Sequence, residues 1–138
     1  DLVTKGIALQ TELDPQLPVI LGDRVQLQQV LLNLILNACD AMADQAPEAR
    51  RLLVQIRMTD SDRVQVSVRD CGHGIPPDQL DRIFDPFVTT NRNGLGLGLG
   101  ISRSLVEAHS GRLQASNNPK GGATFSFVLP RERELSDF

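Results

Sequence analysis

The segment DRVQLQQVLLNLILNACDAMAD, residues 23–44, places the strongest limit on the fold. At about 100° per residue, its apolar side chains cover most of the circumference of a helix. Asp23 stands where a helix N-cap is expected, and the pattern continues to about Asp44. A helix with so much apolar surface is predicted to be largely buried in a layered domain.

A narrow line of polar side chains interrupts this apolar surface. Its members recur three or four residues apart and therefore stack along one side of the helix: Gln26, Gln29, Asn33, Asn37, Asp40 and Asp44. A solvated face is one interpretation, but such faces usually carry Lys and Glu, which are better helix formers. Short amides and carboxylates favour a lined cavity. The amide oxygen of Asn37 is a hard neutral ligand that suits Mg²⁺ together with phosphates and water.

Strand and turn patterns fill the rest of the chain. Alternation predicts strands over 6–13 and 18–21, a hairpin of 52–59 with 63–70, and a closing hairpin of 111–116 with 121–130. A short helix is expected between Asp78 and Pro86, and a longer one over about 98–109. This order of elements predicts an α/β two-layer sandwich, formed by a single domain of residues 1–138.

Composition argues against several classes of function. The net charge is −3 without a Lys or Arg block, and Trp and Tyr are absent, so a nucleic-acid surface is not expected. No apolar run reaches membrane-spanning length. Cys39 and Cys71 lie far apart and only two histidines are present, which favours free thiols over a disulfide or a His/Cys metal site. The chain begins at Asp1 within strand-like sequence, which indicates a piece of a longer protein.

Asp70 ends the strand RVQVSVRD on the face that carries its three valines. Two interpretations are open. The carboxylate either turns outward and caps the CGHG turn, or it is a buried acceptor for a ligand donor such as the amine of a purine. Gly72 and Gly74 allow the backbone to pass close beside a flat ring. The pattern D-x-G-x-G alone does not decide between them.

The run NGLGLGLGIS, residues 93–102, fits neither common phosphate-binding motif. A dinucleotide fingerprint needs glycine where Leu99, Ile101 or Arg103 stands, and a P-loop needs lysine at Ile101. Its glycines therefore indicate sharp bends or a close approach of backbone to a ligand.

Together these segments resemble the ATPase/kinase superfamily of sensor histidine kinases, DNA gyrase B, a heat-shock chaperone and MutL. LQQVLLNLILNACDAM is similar to the N box of that superfamily, and DCGHGI, GLGLGLGI and GGATF are similar to its three glycine boxes. IFDPFVTT resembles the F box of histidine kinases, and the run EAHSG at 107–111 likewise indicates the bacterial histidine kinases and not the other branches. The five boxes occur in the family's order over residues 23–129, nearly the whole chain.

The resemblance implies the Bergerat fold, a mixed sheet packed on one face by about three helices, with a flexible ATP lid. It implies that Asn37 holds Mg²⁺, that Asn33 supports it near the phosphates, and that Asp70 accepts from the adenine amine. The implied ATP-binding residues are Asn33, Asn37, Asp40, Asp70, Gly72, Gly74, Ile75, Phe87, Thr89, Thr90, Arg92, Gly94, Gly96, Leu97, Gly98, Leu99 and Thr124.

The lid has its own implied parts. Phe84 and Phe87 would anchor its base, and residues 88–97 are expected to be mobile without nucleotide. The glycines of the run 94–100 would be its hinge and would present bare N–H groups to the phosphates at the start of the second long helix. Leu97 and Leu99 are interpreted as docking that helix.

Three positions depart from the family's pattern. Many relatives continue the F box as TTK, whereas Arg92 here follows Asn91, and a planar guanidinium would replace a point charge. His73 stands where proline is frequent and is interpreted as an exposed loop residue. Thr124 would contact adenine directly or through water, but it lies on the opposite strand face from Phe125, so a bulge at 121–122 would be needed.

The implied function is to bind Mg-ATP and supply the γ-phosphoryl group for histidine autophosphorylation in two-component signalling. Neither His73 nor His109 is placed as a phosphoacceptor, and no catalytic residue is assigned here. The implied partners are a histidine-bearing dimerisation domain, upstream in the same protein, and a response regulator receiver domain. The domain is expected to be cytoplasmic, without membrane contact, in a parent that is soluble or anchored in the inner membrane. The alternative is an ATP-dependent regulatory module or an anti-sigma-factor-like serine kinase of the same superfamily.

Overall fold

The computed structural model describes residues 6–15, 22–59, 63–84 and 97–130. It contains, in chain order, the elements β1 (Ala8–Leu13), α1 (Arg24–Ala41), β2 (Arg51–Met58), β3 (Arg63–Asp70), α2 (Leu97–Ala108), β4 (Arg112–Asn117) and β5 (Ala123–Pro130). One 3₁₀ turn, Pro47–Ala49, precedes β2. The strand predicted over 18–21 lies outside the described residues. Neither helix of these segments is long and apolar enough to cross a membrane.

The five strands form one mixed sheet in the order β1-β2-β3-β5-β4. β1 pairs parallel to β2, and all other neighbours are antiparallel, which confirms both predicted hairpins. The two helices pack on each other and against β3 and β4. The predicted α/β two-layer sandwich with a mixed sheet is therefore confirmed.

Strand register places the core on one face of the sheet. Val68 pairs with Val54 on β2 and with Phe125 on β5, so these three side chains stand side by side. All three are buried, and α1 covers them with Val30 and Leu34, which are fully buried. Burial of such a row supplies the main stabilising term of the fold, at roughly 25 cal/mol per Å² of apolar surface.

Helix α1 begins where the sequence predicts and ends about three residues earlier than expected. The Asp23 carboxylate accepts a hydrogen bond from the N–H of Gln26 at 3.1 Å, as an N-cap does. The helix ends at Ala41, and Arg50 reaches back to the chain just beyond it. The Arg50 guanidinium donates to the carbonyl oxygens of Met42, Ala43 and Gln45. These bonds satisfy groups that a continued helix would otherwise use.

The short helix expected between Asp78 and Pro86 is wrong for the part that the structure describes. Residues 77–84 form consecutive turns. Gln79 donates to the carbonyl of Pro76 at 2.8 Å and Arg82 to that of Gln79 at 2.9 Å, so the bonds span three residues and not four. Bonds of this span form separate turns and not an α-helix.

Candidate functional site

A cleft opens between α1, the end of β3 and the start of α2, and it encloses about 420 Å³ including its open mouth. Six of the residues predicted to bind nucleotide line it: Asn37, Asp40, Asp70, Gly74, Ile75 and Leu99. The other lining residues are Ala41, His73, Ile83, Ala123 and Phe125. The polar line of α1 and the carboxylate that ends β3 therefore face one common space.

Asp70 is the most deeply buried charged group of this cleft, with 1% of its surface exposed. Its Oδ1 accepts from the N–H groups of Gly72 at 2.8 Å and Ala123 at 3.1 Å. Its Oδ2 is buried and meets no hydrogen-bond donor in the described parts of the chain. Burial raises the pKa of the Asp70 carboxyl, and the two backbone hydrogen bonds and nearby His73 offset part of that rise.

The Asp70 carboxylate does not turn outward, since 1% of the residue is exposed, but it does cap the turn that the first interpretation expected. Oδ1 caps the turn after β3 through the N–H of Gly72. Oδ2 keeps its capacity to accept a hydrogen bond. Buried acceptors are rarely left without a donor, so this oxygen suits a ligand that brings an N–H into the cleft.

The two glycines after Asp70 serve different purposes. A Cβ on Gly72 would lie 2.4 Å from the carbonyl oxygen of Ala41, so a side chain is excluded by the end of α1. Gly72 is not among the lining residues. Gly74 lines the cleft and has a φ of +77°, a left-handed conformation that favours glycine. Only Gly74 forms part of the cleft wall.

The polar line of α1 divides into a buried middle and exposed ends. Asn37 is buried and Asp40 is half-buried, and both line the cleft. Gln26, Gln29 and Asp44 are exposed. The cavity interpretation is right for the middle of the line, and the solvated-face alternative is right for its ends.

Asn33 does not line the cleft. Its Oδ1 accepts from Nε2 of Gln29 at 2.9 Å, and its Nδ2 donates to Oγ of Ser102 at 3.1 Å. Ser102 lies on α2 and is completely buried, so this bond joins the two helices. Sequence analysis missed Ser102, although it falls between Leu99 and Val106 on the buried side of α2 at helical spacing.

Thr124 is not brought to the cleft, whereas its neighbours Ala123 and Phe125 line it. Its hydroxyl donates to Oδ1 of Asn118. β5 pairs regularly with β4 from Ala123 onward, so no bulge re-aims Thr124. A contact with adenine through water stays a prediction.

The lid residues Phe87, Thr89, Thr90, Arg92, Gly94 and Gly96 lie outside the described residues, as does the mobility expected for residues 88–96. Leu97 and Gly98 form the first turn of α2. Leu99 is 2% exposed, consistent with its predicted docking role. The ring of Phe84 stands edge-on to that of Phe125, with centroids 6.3 Å apart.

Two asparagines that sequence analysis treated as turn residues support the cleft from behind. The side-chain amide of Asn117 accepts from the N–H of Ile75 at 2.7 Å and donates to its carbonyl at 2.9 Å. The Nδ2 of Asn118 donates to the carbonyl of Asp70 at 3.2 Å. The turn composition NNPKGG carried no signal for either contact.

His109 joins the two helices at the far end from the cleft. Its Nε2 accepts from the N–H of Asp23 at 2.9 Å, and its Nδ1 lies 2.8 Å from the carbonyl oxygen of Leu105. Because a backbone N–H can only donate and a carbonyl can only accept, the ring proton sits on Nδ1. Both ring nitrogens are therefore occupied by structural hydrogen bonds.

Residues 22–133 match the family described as histidine kinase-, DNA gyrase B-, and HSP90-like ATPase. The match covers most of the chain and includes both cleft walls. The chain belongs to this ATPase family, which confirms the resemblance seen in the five boxes.

Within the family, the similar proteins are sensor histidine kinases. Sensor protein FixL of Bradyrhizobium diazoefficiens is 45% identical over 130 residues, which are 94% of this chain and 25% of FixL. This chain thus spans about a quarter of the length of that relative.

Solved structures show the same likeness. The catalytic domain of histidine kinase ThkA superposes with a TM-score of 0.82 at 32% identity, covering 94% of this chain and 82% of that one. Full-length ShkA in complex with AMPPNP gives 0.78 at 38% identity, covering 93% and 26%. ThkA in complex with response regulator protein TrrA gives 0.77 at 29%, covering 95% and 36%.

Proposed function

We propose that this chain binds Mg-ATP in the cleft and supplies the γ-phosphoryl group to a histidine on another domain of its protein. The observation that carries the proposal is the unpartnered buried oxygen of Asp70. It supplies a buried acceptor to the cleft of a chain that belongs to an ATPase family.

The sheet side of the cleft suits a purine. Oδ2 of Asp70 would accept from the exocyclic amine of adenine. The ring would have apolar surroundings, because the buried side chains of Ile75, Ile83 and Phe125 line the cleft. Gly74, which also lines it, has no side chain to obstruct the ring. A guanine or hypoxanthine ring carries an oxygen at the same position, which would face the Asp70 oxygen and be rejected.

The helix side of the cleft suits a metal bound to phosphates. Asn37 and Asp40 line it with an amide oxygen and a carboxylate, which are the hard ligands that Mg²⁺ prefers. Over the four described segments no group of three His, Cys, Asp or Glu side chains could hold a metal alone. Asn37 would therefore hold Mg²⁺ with phosphates and water as its other ligands. The ion would neutralise charge on the phosphates.

The acceptor histidine is proposed to lie on a histidine-bearing dimerisation domain. The sequence has two histidines, and His109 uses both ring nitrogens structurally. His73 is exposed at the cleft, with Nδ1 2.6 Å from the carbonyl oxygen of Gly74. His73 lies beside Gly74 and Ile75 on the sheet side of the cleft, where the purine is proposed, so it is not proposed as the phosphoacceptor. A cytoplasmic location, where ATP is supplied, fits this role.

A response regulator receiver domain is proposed as the second partner. The support is the structure of ThkA in complex with response regulator protein TrrA, which this chain resembles over 95% of its length. Phosphate passed to a histidine needs an acceptor downstream, and a receiver domain has that chemistry.

The test is to mix this chain with a separately produced histidine-bearing dimerisation domain and Mg-ATP labelled on the γ-phosphate. We expect acid-labile, base-stable label on the histidine domain. Asp70→Ala serves as the matched inactive control. Label that resists acid, placed on serine of an added protein, would instead support the anti-sigma-factor-like kinase. No nucleotide binding by calorimetry would contradict the proposal.

A further inference from the structure

We infer that Asn117 is a positioning residue for the purine end of the cleft and sets its selectivity for adenine through the backbone of Ile75. The inference rests on the proposed binding of ATP. Asn117 is the last residue of β4 and does not line the cleft itself.

The contact is a complementary two-point pair. The carboxamide oxygen of Asn117 accepts from the N–H of Ile75 at 2.7 Å, and its NH₂ group donates to the carbonyl of Ile75 at 2.9 Å. One side chain thus satisfies both backbone groups of one residue. The Ile75 side chain is 9% exposed and lines the cleft, so its position is part of the wall.

Among the described residues, the hydrogen bonds that join this loop to other elements, apart from those of Asn117, lie before Gly74. Gln45 donates to the carbonyl of Cys71, and the N–H of Gly72 donates to Asp70. The N–H of His73 donates to the carbonyl of Ala41 at 3.3 Å. Beyond Gly74, where φ turns to +77°, the backbone groups of Ile75 are bonded to Asn117. Asn117 therefore fixes the half of the loop that the earlier bonds do not reach.

Asn117 also connects the cleft wall at Ile75 to the carboxylate of Asp70. It pairs with Ala123 across the β4–β5 ladder, and the N–H of Ala123 donates to Oδ1 of Asp70 at 3.1 Å. A Cβ on Gly74 would lie 2.9 Å from Oδ1 of Asn117, so wall and support are in close contact. The separation between the Ile75 wall and the Asp70 acceptor is thereby set by one short, continuous framework.

Only a carboxamide of this length makes both bonds. An aspartate keeps the shape but loses the donor, and its charge would face the Ile75 carbonyl. A serine offers one hydroxyl, and a glutamine is one methylene longer. Asn117→Asp and Asn117→Ala therefore separate the loss of hydrogen bonding from the loss of volume.

The experiment measures the affinities of the 138-residue chain for ATP and ITP, by displacement of a fluorescent ATP analogue, well below the melting temperature. ITP has an oxygen where ATP has the amine. We expect Asn117→Ala and Asn117→Asp to weaken ATP about fivefold and to reduce the preference for ATP over ITP about threefold. Gln114→Ala, which removes an exposed carboxamide from the same strand, should change neither.

The selectivity ratio separates positioning from mere stability. A variant that only unfolds in part weakens ATP and ITP equally and leaves their ratio unchanged, and that result would overturn the inference. Wild-type affinities in both Asn117 variants would overturn it as well. If the wild-type chain itself fails to bind ATP, the proposed function fails first, and this inference fails with it.

Discussion

The two walls of the cleft are built in different ways. On the sheet wall, Asp70 is held by N–H groups from its own loop and from β5, and the loop is bonded to α1 and β4. On the helix wall, Asn37 and Asp40 project from one side of α1. The sheet wall combines the unpartnered oxygen of Asp70 with apolar lining residues, as the proposed purine site requires. The helix wall offers two oxygen-bearing side chains, too few to hold a divalent cation without the ligand.

The two walls also differ in what they cost the stability of the fold. The sheet wall keeps a buried carboxylate with one unpaired oxygen, which costs folding free energy. The polar line of the helix wall is exposed at both ends, so it carries less of that cost. Under the proposed function, recognition of the base would thus be prepared in advance, and binding of the phosphates would be completed by the incoming metal.

The largest expected effect tests the rigidity of the sheet wall. A Cβ on Gly122 would lie 2.1 Å from the carbonyl oxygen of Asp70, at a φ of +84°. We expect Gly122→Ala to lower the free energy of unfolding by about 4 kcal/mol in a denaturant titration. Gly121→Ala is the control, since its φ is +107° but no atom lies within 4 Å of its Cβ. It should cost about 1 kcal/mol, and equal effects would refute the rigid wall.

A second pair of variants tests whether the helix wall binds the metal and the sheet wall binds the base. Asn37→Ala should weaken Mg-ATP about 30-fold, roughly 2 kcal/mol, and leave the affinity for adenosine without metal unchanged. Asp70→Asn should weaken adenosine and ATP alike, with or without Mg²⁺, because the acceptor for the amine is lost. Calorimetry with and without Mg²⁺ measures both. The same dependence on Mg²⁺ in both variants would contradict separate roles for the two walls.

The third prediction concerns the energetic cost on the sheet wall. The pKa of Asp70 is raised by burial, so its ionised form destabilises the fold at pH values above that pKa. Asp70→Asn should therefore raise the free energy of unfolding by about 1 kcal/mol at pH 7.5. The gain should shrink as the pH falls and the wild-type carboxyl takes up its proton. Melting curves across this range check it, and a pH-independent difference would contradict it.

The smallest effect is expected away from both walls. Asn33→Ala breaks the hydrogen bond to buried Ser102 and should cost about 0.5–1 kcal/mol of stability, with ATP affinity within about twofold of wild type. Gln26→Ala, at an exposed position of the same line, is the control. A double-mutant cycle with Ser102→Ala should show coupling. A large loss of ATP affinity in Asn33→Ala would contradict this and show that Asn33 contributes to nucleotide binding.

Much of the fold could be predicted from local pattern. Alternation defined the two hairpins, and the apolar spacing and N-cap at Asp23 defined the start of α1. The turns at 77–84 were predicted as a short helix ended by Pro86, whereas their backbone hydrogen bonds reach back only three residues.

The site was less accessible to pattern. That Asn37 and Asp70 face one cleft followed from the family resemblance, since no spacing connects residues of different elements. The bonds of Asn33 to Ser102 and of Asn117 to Ile75 join residues 69 and 42 positions apart. Such contacts depend on how the layers dock, and a single sequence does not reveal docking.

The contacts at the two ends of α1 have a mechanical consequence. At the start of the helix, His109 accepts a hydrogen bond from the N–H of Asp23. At its end, His73 and Arg50 donate to backbone carbonyl oxygens at and just beyond Ala41. Sliding of α1, or its rotation about its axis, would break these hydrogen bonds at one end or the other. We therefore expect the amide of Asn37 to keep its height above the sheet when a nucleotide binds and leaves.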